Sequence, residues 1–214
     1  MSFESLNLNS RIVQALTAAG YTEPTPVQAK SIPQSIAGHD LMVSAPTGTG
    51  KTAAFVLPAL QRLLKPALPG RGPRMLVLTP TRELALQVTG AVEKYSRHMQ
   101  RVRTGTVLGG MPYFKQRRLL EAPLDILVAT PGRLIDFMQQ GKVDFSRLEM
   151  LILDEADRML DMGFIKPVET IAEATPATRQ TLLFSATLDG GIAGLARKLL
   201  RDPQRIEVAA PKAR

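Results

Sequence analysis

Lys51 and Thr52 close a glycine-rich stretch, Val43-Ser44-Ala45-Pro46-Thr47-Gly48-Thr49-Gly50-Lys51-Thr52. Residues of these types at this spacing bind phosphate. Gly48 and Gly50 let backbone N–H groups turn onto phosphate oxygens, and the helix that follows presents its positive end. Lys51 reaches the β and γ phosphates, and the Thr52 hydroxyl ligates Mg²⁺. Pro46, Thr47 and Thr49 complete the loop. The pattern is the Ala-led variant of G-x-x-x-x-G-K-[ST], with Ala45 in the first glycine's place. Such a loop needs a carboxylate on a neighbouring strand to hold Mg²⁺ through water, and usually a second to orient the attacking water. The apolar run Leu151-Ile152-Leu153 delivers both, as Asp154 and Glu155. Lys51, Asp154 and Glu155 are therefore the catalytic candidates, and Thr52 and Asp154 the metal candidates.

These groups meet only if strands carry them to a common edge. Short apolar runs recur at Leu41 to Ser44, Met75 to Leu78, Thr104 to Leu108, Ile126 to Ala129, Met150 to Leu153 and Leu182 to Ser185. They lack polar alternation, as strands covered on both faces do. Between them, Thr52 to Leu64, Arg82 to Arg97, Pro112 to Leu120, Arg133 to Gln140, Ile165 to Ala174 and Ile192 to Leu200 read as helices. The alternation predicts an α/β fold: a doubly wound, mostly parallel sheet with helices on both faces, in three α/β/α layers. Ligands in such folds bind outside the carboxyl ends of the strands. Lys65 to Arg74, "KPALPGRGPR", reads as an exposed linker, and the tail after Val208 as the start of a tether.

Composition narrows the class. A chain of 214 residues is expected to form one domain, burying roughly 70% of its unfolded surface without a disulfide or structural metal. Cysteine is absent, which excludes thiolate zinc sites and cysteine nucleophiles, and two histidines make a His-based metal centre improbable. No signal peptide or membrane-length apolar window is present, so a soluble, cytoplasmic protein with no membrane partner is expected. Twenty-seven Lys plus Arg against 19 Asp plus Glu give a net charge of +8, compatible with a polyanionic partner. With aromatic residues at 5% and no Trp, a nucleic-acid surface here is expected to use backbone contacts more than stacking.

Asp154-Glu155-Ala156-Asp157 resembles the signature of the DEAD-box RNA helicases, and the rest of the chain is similar to the N-terminal RecA-like domain of that family. "GYTEPTPVQ", Gly20 to Gln28, resembles the adenine-reading segment, with Phe3 as its upstream aromatic. The resemblance implies that Gln28 reads the adenine edge, that Tyr21 packs on the ring, and that Thr25 belongs to the same site. "PTRELALQ" from Pro80, the Gly109-Gly110 pair and "TPGR" from Thr130 resemble the family's RNA-gripping motifs. They imply RNA contacts by Pro80, Thr81, Arg82, Gly109, Gly110, Thr130, Pro131, Gly132 and Arg133, directed at sugar and phosphate with little sequence specificity. "SAT" resembles the coupling motif, implying that Ser185 and Thr187 bond to Asp157.

The resemblance therefore implies an ATP-binding domain over residues 1–208, with an adenine-reading segment at 1–38 and an inter-domain linker starting at 209–214. It implies ATP and Mg²⁺ as ligand and cofactor, and RNA as partner. No arginine-rich "HRxGRxGR" run follows Thr187, and residues 188–214 are too few for another domain. Such arginines can contribute about 10³ to 10⁵ in rate. The isolated chain, expected to be monomeric, is thus expected to bind adenine nucleotide but hydrolyse it poorly without a second RecA-like domain of the same protein. Two other readings stay open: a different P-loop NTPase, and a nucleotide-gated RNA-binding scaffold.

Overall fold

The computed structural model describes residues 1–209; most of the predicted tether, residues 210–214, lies outside them. A 3₁₀ turn at Phe3–Leu6 leads into helices α1 (Ser10–Ala18) and α2 (Pro26–Ile36). Thereafter strands and helices alternate: β1 (Leu41–Ser44), α3 (Lys51–Leu63), β2 (Met75–Leu78), α4 (Arg82–Tyr95), β3 (Thr104–Val107), α5 (Tyr113–Glu121), β4 (Ile126–Ala129) and α6 (Pro131–Gln139). The last third contributes β5 (Met150–Leu153), α7 (Ala156–Asp161), α8 (Ile165–Glu173), β6 (Gln180–Ser185), α9 (Gly191–Leu199) and β7 (Gln204–Glu207). The strands form one sheet in the order β3-β4-β2-β5-β6-β1-β7, every neighbouring pair parallel.

Side chains alternate between the faces of a strand, so an unbroken apolar run fills two cores at once. Met75, Val77, Met150 and Ile152 face a core built by α1 to α4, including Ile12, Val27, Phe55 and Val88. Leu76, Leu78, Leu151 and Leu153 face a second core built by α6 to α9, including Phe137, Val168 and Leu195. This is the three-layer α/β/α arrangement expected from the sequence. Phe55 of α3 meets Phe184 of β6 edge to face at 5.3 Å, which ties the helix after the glycine loop to the sheet. Truncating either ring to Ala costs roughly 3–5 kcal/mol.

Two local outcomes differ from the sequence-based expectations. Strand β7 carries one inward apolar residue, Ile206, among exposed polar ones, and so gives no apolar run to read. The predicted linker is exposed from Lys65 to Arg71, but its end is not: Pro73 and Arg74 are buried. Side chains cap the starts of α1, α2 and α4. Thr25 forms a capping box with Gln28, and the Thr81 hydroxyl accepts from Leu84 N at the start of α4.

Candidate nucleotide and nucleic-acid site

The carboxyl edge of the sheet divides into two halves. On one side β1, β6 and β5 end in the glycine loop, in Ser185 to Thr187 and in Asp154-Glu155; on the other, β2, β4 and β3 end in Thr79 to Arg82, in Thr130 to Arg133 and in Gly109-Gly110. The sheet order thus collects the residues expected to hold nucleotide on one half and those expected to hold RNA on the other.

In the first half, Gly48 (φ 84°) and Gly50 (φ 81°) adopt the left-handed conformation, which a side chain disfavours. Gly50 has a second reason to be glycine: a Cβ there would lie 2.5 Å from Gln28 Nε2. Lys51, the first residue of α3, points its Nζ 3.3 Å from Asp154 Oδ1 and 3.8 Å from Glu155 Oε1. Asp154 is 2% exposed. Burial raises its pKa, and Lys51 opposes that rise only in part. Asp154 Oδ1 and Glu155 Oε2 are buried and accept no aligned hydrogen bond. Glu155 itself holds φ 50°, ψ 55°, a left-handed strain of order 1 kcal/mol or more for a non-glycine residue. Two buried, under-satisfied carboxylate oxygens beside an ammonium and a threonine hydroxyl form a hard-oxygen donor set that fits a divalent cation bound with phosphate.

A cleft of about 390 Å³ opens over this cluster, lined by Tyr21, Thr25, Gln28, Thr47, Gly48, Gly50, Lys51 and Thr52 together with Asp154 and Glu155. Gln28 is held from both ends. Its Nε2 donates to Gly50 O at 3.0 Å, and its Oε1 accepts from Thr25 N at 3.0 Å. Tyr21 meets Tyr95 edge to face at 5.9 Å, and Lys94 lies 5.5 Å from the Tyr21 ring centroid. Hydrogen bonding to Tyr95 and Lys94 lowers the Tyr21 pKa, while burial raises that of Tyr95. Pro46 and Thr49 shape the loop without lining the cleft: Thr49 is buried and its hydroxyl donates to Pro46 O at 2.6 Å. Phe3 does not reach the cleft either. It is 4% exposed in the core beside α2, so its part here is packing.

Glu23, Leu84, Gln87 and Tyr95 also line the cleft; the first three lie inside motifs quoted above without a role there, and Tyr95 lies outside them. Leu84, Gln87 and Tyr95 sit at spacings that share one face of α4, and that periodicity was the available signal. A larger depression of about 550 Å³ lies at the opposite edge of the sheet, lined by Arg74, Arg103, Asp125 and Arg147. Those groups bond to one another or to carbonyls, which marks a structural network.

In the second half, the loops are bolted together. The Thr130 hydroxyl accepts from Gly109 N at 3.1 Å. Arg133 Nη1 donates to Met111 O at 2.9 Å and to Gln116 Oε1 at 3.1 Å, and Gln116 Nε2 donates to Leu108 O at 3.0 Å. Arg133, expected as a phosphate donor, therefore has its Nη1 committed inside the chain, and Gln116 emerges as its unanticipated partner. Arg82, Gly109, Gly110 and Gly132 are exposed, while Pro80 and Pro131 are buried. Thr79 is fully buried with an unpartnered hydroxyl at the end of β2. The expected bonds between Asp157 and Ser185 or Thr187 are not formed among the described residues: Ser185 Oγ accepts from Thr187 N at 3.4 Å.

A glycine loop between strand and helix, its lysine on paired carboxylates at a parallel sheet's carboxyl edge, defines a P-loop nucleotide-binding α/β domain. Comparison with known proteins places it more narrowly. The DEAD/DEAH box helicase family model matches residues 25–193, and the chain belongs to that family. It is 47% identical over 211 residues to the ATP-dependent RNA helicase SrmB of Escherichia coli, covering 98% of this chain and 47% of that protein. It is 46% identical over 207 residues to the ATP-dependent RNA helicase DeaD of Klebsiella pneumoniae, covering 97% of this chain and 32% of that one. The chain thus spans less than half the length of the curated relatives it matches, from 27% to 47%. Its fold superposes on the crystal structure of a DEAD box protein from Methanococcus jannaschii with a TM-score of 0.88 at 37% identity, covering 97% of this chain and 56% of that one. No described helix is long and apolar enough to cross a membrane.

Proposed function

We propose that this chain is the ATP-binding and RNA-gripping half of an ATP-dependent RNA helicase, which couples ATP hydrolysis to local unwinding of RNA duplexes in the cytoplasm. The observation that carries the reading is the Lys51–Asp154–Glu155 cluster, with its two under-satisfied carboxylate oxygens at the mouth of the glycine loop.

Each group has a task. Lys51 and the α3 N-terminus stabilise negative charge on the β and γ phosphates. Glu155 orients the attacking water and is held for that task by its constrained backbone. Gln28 reads the adenine edge, and because it already bonds to Gly50 O, base recognition is linked directly to the phosphate loop. Thr52, and Asp154 through water, would hold Mg²⁺, which supplies charge neutralisation for the phosphates. Thr81, Arg82, the Gly109-Gly110 backbone and the α6 N-terminus bind sugar and phosphate along the β3-β4-β2 half.

Residues 1–208 form one RecA-like unit in this reading, and a second such domain of the same protein supplies the arginines that complete the transition state. Alone, the chain is a monomer that binds ATP and turns it over slowly. Calorimetric titration with ATP, GTP and AMP, with and without Mg²⁺, tests the reading: ATP should bind best and Mg²⁺ should strengthen it. Equal affinity for ATP and GTP would remove Gln28 from its role. Glu155→Gln should keep ATP binding and abolish RNA-stimulated hydrolysis in the two-domain protein, whereas retained turnover would remove Glu155.

A further inference from the structure

Most aromatic rings of this chain lie in a core or beside the nucleotide cleft, but Phe114 lies in neither and is 62% exposed. It is the second residue of α5, immediately after the Gly109–Pro112 loop. Its neighbour Tyr113 stacks on Phe137 of α6 at 4.5 Å, with 16° between the ring planes, which fixes the start of α5 against α6. Phe114 takes no part in that contact. One turn along, the Arg118 guanidinium carbon lies 5.8 Å from the Phe114 ring centroid. Lys115, Arg117 and Arg118 are all exposed, and the single carboxylate of α5, Glu121, is paired with Arg117 at 3.5 Å. Among the described residues neither Lys115 nor Arg118 has an acidic partner.

A lone exposed apolar side chain needs no explanation. A ring among three cations and one carboxylate, at the foot of an exposed glycine loop, has the makeup of a single-strand nucleic-acid platform. There, base stacking adds to backbone electrostatics. We propose that Phe114 stacks on one base of single-stranded RNA while Lys115 and Arg118 take the flanking phosphates. The inference rests on the reading of the β3-β4-β2 half as an RNA track. It adds a base contact that tolerates every sequence, where the other motifs of that half supply backbone contacts.

The test is fluorescence anisotropy of a labelled single-stranded RNA of about 12 nucleotides, within the span that such platforms occupy, titrated with the 214-residue chain across a salt series. Phe114→Ala should weaken binding about five- to a hundredfold, the worth of one stacked base, with the salt slope, the thermal midpoint and ATP affinity unchanged. Phe114→Trp should restore binding. An RNA with abasic sites should bind the wild-type chain more weakly and bind Phe114→Ala no worse than intact RNA does. Wild-type affinity in Phe114→Ala, with Arg82→Ala still lowering the salt slope by about one, would overturn the stacking role alone and leave the ring as a seat for a protein partner. No salt-dependent RNA binding by the wild-type chain would overturn both the stacking role and the RNA track.

Discussion

The two edges of the sheet treat charge in opposite ways. At the amino edge each of the first six strands is entered through a charged residue: Asp40, Arg74, Arg103, Asp125, Glu149 and Arg179, and all are paired. Arg74 donates to Glu149 and to the carbonyls of Leu63 and Lys65 at the end of α3. Asp40 accepts from Thr181 N at 2.8 Å and Arg201 N at 2.7 Å. Arg179 donates to Leu199 O at 2.9 Å, closing the end of α9. At the carboxyl edge, three of the four buried side-chain atoms that lack a hydrogen-bond partner among the described residues fall on Thr79, Asp154 and Glu155, with Lys51 3.3 Å from Asp154 Oδ1 as an ion-pair neighbour. Hydrogen-bonded charge fixes the ends of helices and strands, whereas carboxylate and hydroxyl oxygens with spare hydrogen-bonding capacity are free to meet a ligand. One edge holds the fold and the other keeps its capacity to bind.

That contrast can be broken by experiment. The largest effect is expected at the amino edge. Arg74→Ala leaves Arg62 as the remaining partner of Glu149 and frees the carbonyls of Arg62, Leu63 and Lys65, costing about 3 kcal/mol and lowering the thermal midpoint by roughly 10 °C, with ATP affinity of the folded fraction unchanged. A parallel loss of affinity would show that the edges are not separable. Lys51→Ala should weaken ATP·Mg²⁺ binding about 100-fold, the worth of a strong charged contact, while circular dichroism reports an intact fold. Asp154→Asn should raise the midpoint of the ligand-free chain by about 2–4 °C, because a buried carboxylate that strains the apo fold is removed. The same change should abolish the gain in affinity from Mg²⁺. A lowered midpoint would mean that Asp154 is structural.

The smallest effect concerns pH. Burial pushes the Asp125 carboxyl up, but hydrogen bonds from the Arg103 side chain and backbone outweigh that, and its pKa is lowered. Its contribution to stability is therefore complete above the ordinary Asp range near about 3.9 and is lost as pH falls through the depressed folded value. In urea unfolding from pH 7 to 3, Asp125→Asn should be less stable at neutral pH and show a flatter acid limb; an acid limb as steep as the wild type's would refute the assignment.

Six of the seven strands among the described residues and the glycine loop were legible in the sequence, because fully covered parallel strands must be apolar throughout and phosphate loops must carry glycine before lysine. What stayed hidden depends on contacts between distant segments. Nothing in the sequence around Arg74 reveals that it reaches α3 and Glu149, and nothing around Gln116 reveals that it holds Arg133. Tyr95 reaches the cleft only because α4 lies across α3 and below Tyr21. Phe3 lies in the core and does not line the cleft, a placement that the sequence around it does not reveal.

The sheet order has a consequence for how the chain is made. Strand β1, which carries the phosphate loop, pairs with β6 and β7, so Leu41 lies beside Leu182 and Gln204. During synthesis at about 5–20 residues per second, β1 is complete roughly 7 to 27 s before β6 begins to be made, while β2, β4 and β5 can pair among themselves. Closing so long a loop is slow. The ATP site, encoded early, is therefore finished last, and an interrupted nascent chain carries an apolar β1 with no sheet to join.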